Sequence, residues 1–388
     1  MKLAKRMSRL GTETAFEVLA KAKELEAQGK SIIHLEIGEP DFDTPKNIRK
    51  AGVEAIEKGW THYTPAAGIP ELRKAIAEYI SKTRGIEIDP KEVVAVPGGK
   101  SIIFFTILAL VDEGDEVIYP NPGYPIYESV INFVGAKAVP IPLKEEKDFR
   151  LDISELAGLI TDRTKLIIIN SPQNPTGGVL TEDDLSQIAE LAKKHDIYVL
   201  SDEIYSEILY DGEKHHSISK VPGMKERTII LDGFSKTFAM TGWRLGYGVM
   251  PVELAEQITK LMINSNSCNA GFTQKAGVEA LTGPWDDVRG MVAEFTRRRD
   301  VIVEGLNKIP GISCRKPKGA FYVFPNITGT GKDSRFLESY LLEEAGVAVL
   351  SGTAFGKYGE GYLRLSYANS LENIKEALSR IDKAIRAL

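Results

Sequence analysis

The chain has 388 residues, 43% hydrophobic and 27% charged, with a formal net charge of −5 at pH 7. That length buries a large core in two domains or in one with an appendage, and the negative balance without a basic cluster argues against general nucleic-acid binding. Two cysteines, Cys268 and Cys314, supply no disulfide framework and read as cytosolic.

Met1 to Met7 is basic, but no apolar run follows, so no secretory signal is expected. Apolar spacing predicts a helix over Glu13–Gln28, stopped by Gly29, then a strand over Ile32–Ile37 and a turn-rich stretch to Pro45. Amphipathic helices are expected over Lys46–Lys58 and Ile69–Arg84. From Val93 strands and helices alternate: strand Val93–Val96, helix Lys100–Val111, strand Glu116–Tyr119, helix Ile126–Phe133, strands Ala136–Ile141 and Leu166–Ile169. The helix Thr181–His195 then leads to strands Ile197–Leu200, Thr228–Asp232 and Leu245–Met250. The most apolar stretch, Ile102 to Val111, falls short of the roughly 20 residues of a membrane helix and reads as core. Near-continuous apolar strands between helices predict an α/β fold with a mainly parallel sheet covered on both faces. After about Pro284 come a long charged helix (Val288–Leu306), strands Ala320–Pro325, Val347–Leu350 and Tyr362–Ser366, and a last helix, Leu371–Leu388. The Arg297-Arg298-Arg299 triplet, beside Glu294 and Asp300, reads as a solvated helix face. The pattern suits a smaller α/β unit, with the N-terminal helix packed against it.

Several strands deliver polar groups at their C-terminal ends, where open α/β sheets bind ligands. Lys236 leaves the strand Ile229–Asp232 in a small-residue loop with Ser235, and Arg244 follows eight positions later. A lysine must be neutral to attack an aldehyde, and burial or a nearby cation makes it so. Asp202 ends another strand; a protonated pyridine nitrogen would compensate it, and a helix N-cap is the plain alternative. Tyr205 and Asn174 can donate to a phenolate-like oxygen, and Tyr124 can stack on an aromatic ring. Pro97-Gly98-Gly99-Lys100-Ser101 opens a helix and offers backbone N–H groups to an anion. It is no P-loop, because the motif's first glycine would fall at Val94. Gly246-Tyr247-Gly248 likewise has Pro251 where a dinucleotide fingerprint needs its third glycine. Arg364, inside an apolar strand, calls for an anion: a substrate carboxylate or an internal salt bridge. The five histidines show no metal-ligand spacing.

Asn174-Pro175-x-Gly177, Asp202-x-x-Tyr205, the Gly233–Gly246 lysine segment and Arg364 together resemble the class I aminotransferases of fold type I, over essentially the whole chain. Gly38-Glu39-Pro40-Asp41-Phe42 and Tyr63-Thr64-Pro65-Ala66-Ala67-Gly68 are similar to the bacterial and archaeal aspartate aminotransferase branch. The resemblance implies pyridoxal 5'-phosphate, carried as a Schiff base by Lys236, with Asp202 at the ring nitrogen and Asn174 and Tyr205 at the ring oxygen. It implies a phosphate site of Ser235, Arg244 and the Gly99 and Lys100 amides, completed by Tyr63 from the second subunit of a homodimer. Arg364 and Asn174 would bind the substrate α-carboxylate, Gly38 would close over it, and Lys100 would meet a distal carboxylate. Tyr124 stands where tryptophan usually stacks on the ring, which loosens the substrate assignment. Gly233 stands where serine is frequent, which weakens one phosphate contact. The implied organisation is an N-terminal arm and part of a small domain over 1–44, a large cofactor-binding domain over 45–284, and a small C-terminal domain over 285–388.

The expected reaction is cytoplasmic transamination between an amino acid and a 2-oxo acid, aspartate with 2-oxoglutarate first. Aromatic, alanine or broad specificity stays open, through Tyr124 and the apolar Ile102-Ile103-Phe104. A carbon–sulfur lyase on the same cofactor shell is the further alternative. A cofactor-sensing regulator would need a helix-turn-helix, and the segment before Ile32 holds one helix.

Overall fold

Caps and stop residues set the element boundaries in the computed structural model, which describes residues 1–388. Helix α1 (Ala15–Ala27) leads to the short strand β1 (Ile33–His34), followed by α2 (Lys46–Glu57) and α3 (Pro70–Arg84). Proline opens α3, where its missing N–H costs nothing, and Gly85 closes it at φ 68°, a conformation that glycine adopts without steric penalty. Then come β2 (Val93–Val96), α4 (Lys100–Leu110), β3 (Glu116–Asn121), α5 (Ile126–Val134), β4 (Lys137–Pro142), α6 (Ile153–Leu159) and β5 (Thr164–Asn170). A capping box of Thr181 and Asp184 starts α7 (Glu182–Lys194), ahead of β6 (Tyr198–Asp202), β7 (Thr228–Gly233) and β8 (Gly246–Val249). The rest comprises α8 (Val252–Ser265), α9 (Gly271–Thr282), α10 (Asp286–Leu306), β9 (Tyr322–Val323), α11 (Ser334–Glu343), β10 (Val347–Ala348), β11 (Leu350–Ser351), β12 (Leu363–Ser366) and α12 (Leu371–Arg386).

The main sheet has the order β2-β8-β7-β6-β5-β3-β4. All its strands run the same way except β8, which is antiparallel to both neighbours. Every residue of β2, β3, β7 and β8 is buried, as a sheet covered on both faces requires. Beyond it, β1 pairs in parallel with β10, and β11-β12-β9 form an antiparallel sheet. No helix is long and apolar enough to cross a membrane.

Two sequence expectations change here. The strand expected over Val347–Leu350 divides, because Val347 and Ala348 pair with β1 while Leu350 and Ser351 pair with β12. The arginine triplet is not a solvated face: Arg297 is exposed, but Arg298 and Arg299 are buried on α10. Arg298 pairs with Asp41 at 2.7 Å, and Arg299 holds Asp211 bidentately at 2.9 and 3.0 Å over the Tyr210 ring. Glu294 and Asp300 of α10 also pair with Arg298 and Arg299, at 3.0 and 2.8 Å, but Asp41 and Asp211 come from distant segments, so the α10 sequence alone does not show that these arginines are buried.

Candidate active site

Because six strands of the main sheet share a direction, their C-terminal ends meet at one edge. The loop after β2 brings Gly98, Gly99 and Lys100, and the loop after β3 brings Tyr124. β5 leads to Asn174, β6 ends on Asp202 ahead of Tyr205, and β7 opens into Ser235 and Lys236. Gly38, Arg244 and Arg364 complete a cleft of about 360 Å³ that all of these but Gly98 line. Tyr63 is not brought to it: the side chain is 90% exposed on the outer surface.

Lys236 points its Nζ at the Gly38 carbonyl oxygen. Desolvation pushes the Lys236 ammonium down to about 8, and Arg364 and Arg244 push the same way against Glu39 and Glu13. The amine is therefore within reach of its neutral, nucleophilic form near physiological pH.

Asp202 is buried and forms no ion pair; its Oδ2 accepts from the Tyr127 hydroxyl at 2.6 Å and its Oδ1 from the Ile204 N–H at 3.3 Å. No helix follows it, which removes the N-cap alternative. Burial pushes its carboxyl up to about 6, against a smaller downward pull from Lys236, and no cation touches it. A ligand carrying a protonated ring nitrogen would supply one.

Arg364 lies buried between the rings of Tyr322 (4.6 Å) and Phe355 (4.9 Å). Its Nη2 donates to the Glu36 carbonyl and its Nη1 to Asn174 Oδ1 at 3.4 Å, while Nε has no partner. No carboxylate pairs with it, so the internal salt bridge is absent and a donor remains for an incoming anion.

Close backbone approach explains two glycines. A Cβ on Gly98, at φ +83°, would fall 2.2 Å from Arg244 Nη2, and one on Gly38 would fall 2.3 Å from Tyr322 Oη. The first lets a guanidinium lie against the start of α4, which no side chain caps. Together they form a cradle for an anion. A Cβ on Gly233 would fall 3.0 Å from Gly246 Cα, and Gly233 lies outside the cleft.

Tyr127, Tyr322 and Glu13 line the cleft without having been singled out in the sequence. Tyr322 meets the Tyr205 hydroxyl at 2.7 Å, and Tyr127 meets Asp202. Both sit at positions whose periodicity signals core, so only the fold reveals their hydroxyls. Lys100 is not free: its Nζ pairs with Glu13.

Residues 30–381 match the family Aminotransferase class I and II. The chain belongs to that family. This aminotransferase is 46% identical over 371 residues to an aspartate aminotransferase of Pyrococcus horikoshii, covering 95% of this chain and 93% of that one. It is 44% identical to aromatic-amino-acid aminotransferase 2 of Thermococcus litoralis, covering 93% of each. The crystal structure of an aspartate aminotransferase from Rhizobium meliloti superposes with a TM-score of 0.96 at 38% identity, over 100% of this chain and 99% of that one. The fold of the aminotransferase is thus fold type I, and it is an enzyme of amino-group transfer.

Proposed function

We propose that the enzyme moves the amino group of aspartate to 2-oxoglutarate on pyridoxal 5'-phosphate. The observation that carries the reading is the pairing of a desolvated Lys236 amine with a buried, cation-less Asp202 in one cleft. When bound, the cofactor supplies an electrophilic carbonyl carbon and an electron-withdrawing ring. Lys236 Nζ would hold that carbon and, once the substrate amine displaces it, would carry the proton to and from the substrate Cα. Asp202 would pair with the ring nitrogen and keep it protonated, Tyr205 and Asn174 would donate to the ring oxygen, and Tyr124 would cover the ring. Ser235, Arg244 and the Gly99 and Lys100 amides would hold the phosphate, with Tyr63 reaching in from a second subunit of a cytoplasmic homodimer. Arg364 and Asn174 take the α-carboxylate of either substrate beneath Gly38. The chain divides at 44 and 284 into an arm with part of a small domain, a large domain and a small C-terminal domain.

Aspartate is favoured by a cation in the cleft, Lys100, and by the names of several relatives. An aromatic specificity is supported by Tyr124 at the ring position and by the relative so named. A panel of amino donors against 2-oxo acids on the purified holoenzyme tests the reading: aspartate with 2-oxoglutarate should give the highest kcat/KM. Release of pyruvate and ammonia from cysteine conjugates without any acceptor would overturn it in favour of a lyase.

A further inference from the structure

Glu13 stands one residue before the cap of α1, but its carboxylate faces the cleft. Its Oε1 accepts from Lys100 Nζ, and from the Tyr124 hydroxyl at 3.2 Å. Lys100 Nζ lies 5.7 Å from the centre of the Tyr124 ring, so cation, anion and phenol form one cluster at the mouth. The anion is the deeper member, its side chain 18% exposed against 47% for Lys100. Two hydrogen bonds fix the segment: the Gly11 N–H donates to Ser129 Oγ at 2.9 Å, and the same hydroxyl donates to the Gly11 carbonyl at 3.3 Å. Burial pushes the Tyr124 phenol well up, and the Glu13 charge adds to that push.

A dicarboxylic substrate offers Lys100 the same group that Glu13 already supplies. We propose that Glu13 is a specificity-determining residue that competes, from within the chain, with the distal carboxylate of a substrate for Lys100. The proposal rests on the transamination reading above. A dicarboxylate has to displace Glu13 from Lys100 and then share the cleft with the displaced charge, in surroundings that screen it less than water does. An apolar or aromatic side chain meets a compensated ion pair and needs no exchange. Glu13 therefore narrows the gap between dicarboxylic and uncharged substrates, which a free Lys100 would widen.

Glu13→Gln keeps the shape and removes the charge, on a residue whose side chain hydrogen-bonds only Lys100 and Tyr124. In the holoenzyme, the Kd for maleate, an unreactive dicarboxylate, should fall about tenfold, equal to ~1.4 kcal/mol. The KM values for aspartate and 2-oxoglutarate should fall with it. The Kd for 3-phenylpropionate, and kcat/KM for alanine and phenylalanine, should stay within about threefold. Unchanged or weakened maleate binding, or equal gains for every substrate, would overturn the role of Glu13. If the wild-type enzyme transaminates no donor, the functional reading fails instead, and the maleate titration still decides the question of Glu13.

Discussion

If Lys236 is the amine that captures the cofactor, as proposed, a single ionisation decides whether the site can load. Free lysine titrates near ~10.4, whereas burial, helped by Arg364 and Arg244, pushes this one down to about 8. Below that value the amine is protonated and has no lone pair for an aldehyde; above it the neutral form dominates. Capture of pyridoxal 5'-phosphate by cofactor-free protein should therefore quicken with pH along a curve whose midpoint lies near 8. Arg364→Met removes a neighbouring cation, which favours the charged amine, so its midpoint should move upward. Stopped-flow absorbance across a pH series measures both, and a midpoint unmoved in the variant would deny the electrostatic coupling. The residue types behind this chemistry are legible in the sequence, since Lys236, Asp202, Asn174 and Tyr205 each follow an apolar strand. Their partners are not. Tyr127 on Asp202, Tyr322 on Tyr205 and Glu13 on Lys100 are separated by 75, 117 and 87 positions, and no local pattern encodes such pairings.

Among elements, α3 does more than cover the sheet. Its last residue, Arg84, is buried and bonds Glu203 and Asp232 at 2.8 Å each, with Ser206 at 3.0 Å. Glu203 follows Asp202 and Asp232 lies four residues before Lys236, so one guanidinium ties together the strand ends that deliver the proposed catalytic residues. Arg84→Ala would leave the buried Asp232 without a cation and Glu203 with His215, at 2.8 Å, as its one basic partner, and should lower unfolding stability by about 3–5 kcal/mol, read from the denaturant midpoint. A loss below about 1 kcal/mol would mean that the cluster relaxes or takes up protons. On a sequence Arg84 is an ordinary cation at a helix C-terminus. The same limit hides α9, whose buried face is Gly271, Thr273, Gln274, Ala276, Gly277 and Ala280. Those residues present no apolar stripe, because α9 is chosen for closeness: a Cβ on Gly277 would fall 2.6 Å from Leu245 Cδ2. The central strands and the amphipathic helices α2, α3, α7 and α12, in contrast, follow from periodicity alone.

For the whole molecule, the side chain that the resemblance assigns to the phosphate, Tyr63, stands 90% exposed and outside the cleft of its own chain. Val53 and Ile56 on α2 are exposed by 54% and 50%, as is Ile263 on α8 by 54%, apolar surface that a second copy would cover. If Tyr63 serves the site of a partner subunit, two inactive variants should repair one another. Tyr63→Ala lacks the phosphate contact but keeps Lys236, and Lys236→Ala keeps Tyr63 but lacks the amine. In a mixed dimer one cleft receives Lys236 from the first chain and Tyr63 from the second and is intact, while the other lacks both. Unfolding and refolding the two variants together in equal amounts makes half of the dimers mixed, so activity should return to about one quarter of the wild-type value. If Tyr63 instead acted within its own chain, every cleft in the mixture would lack one group and no activity would return.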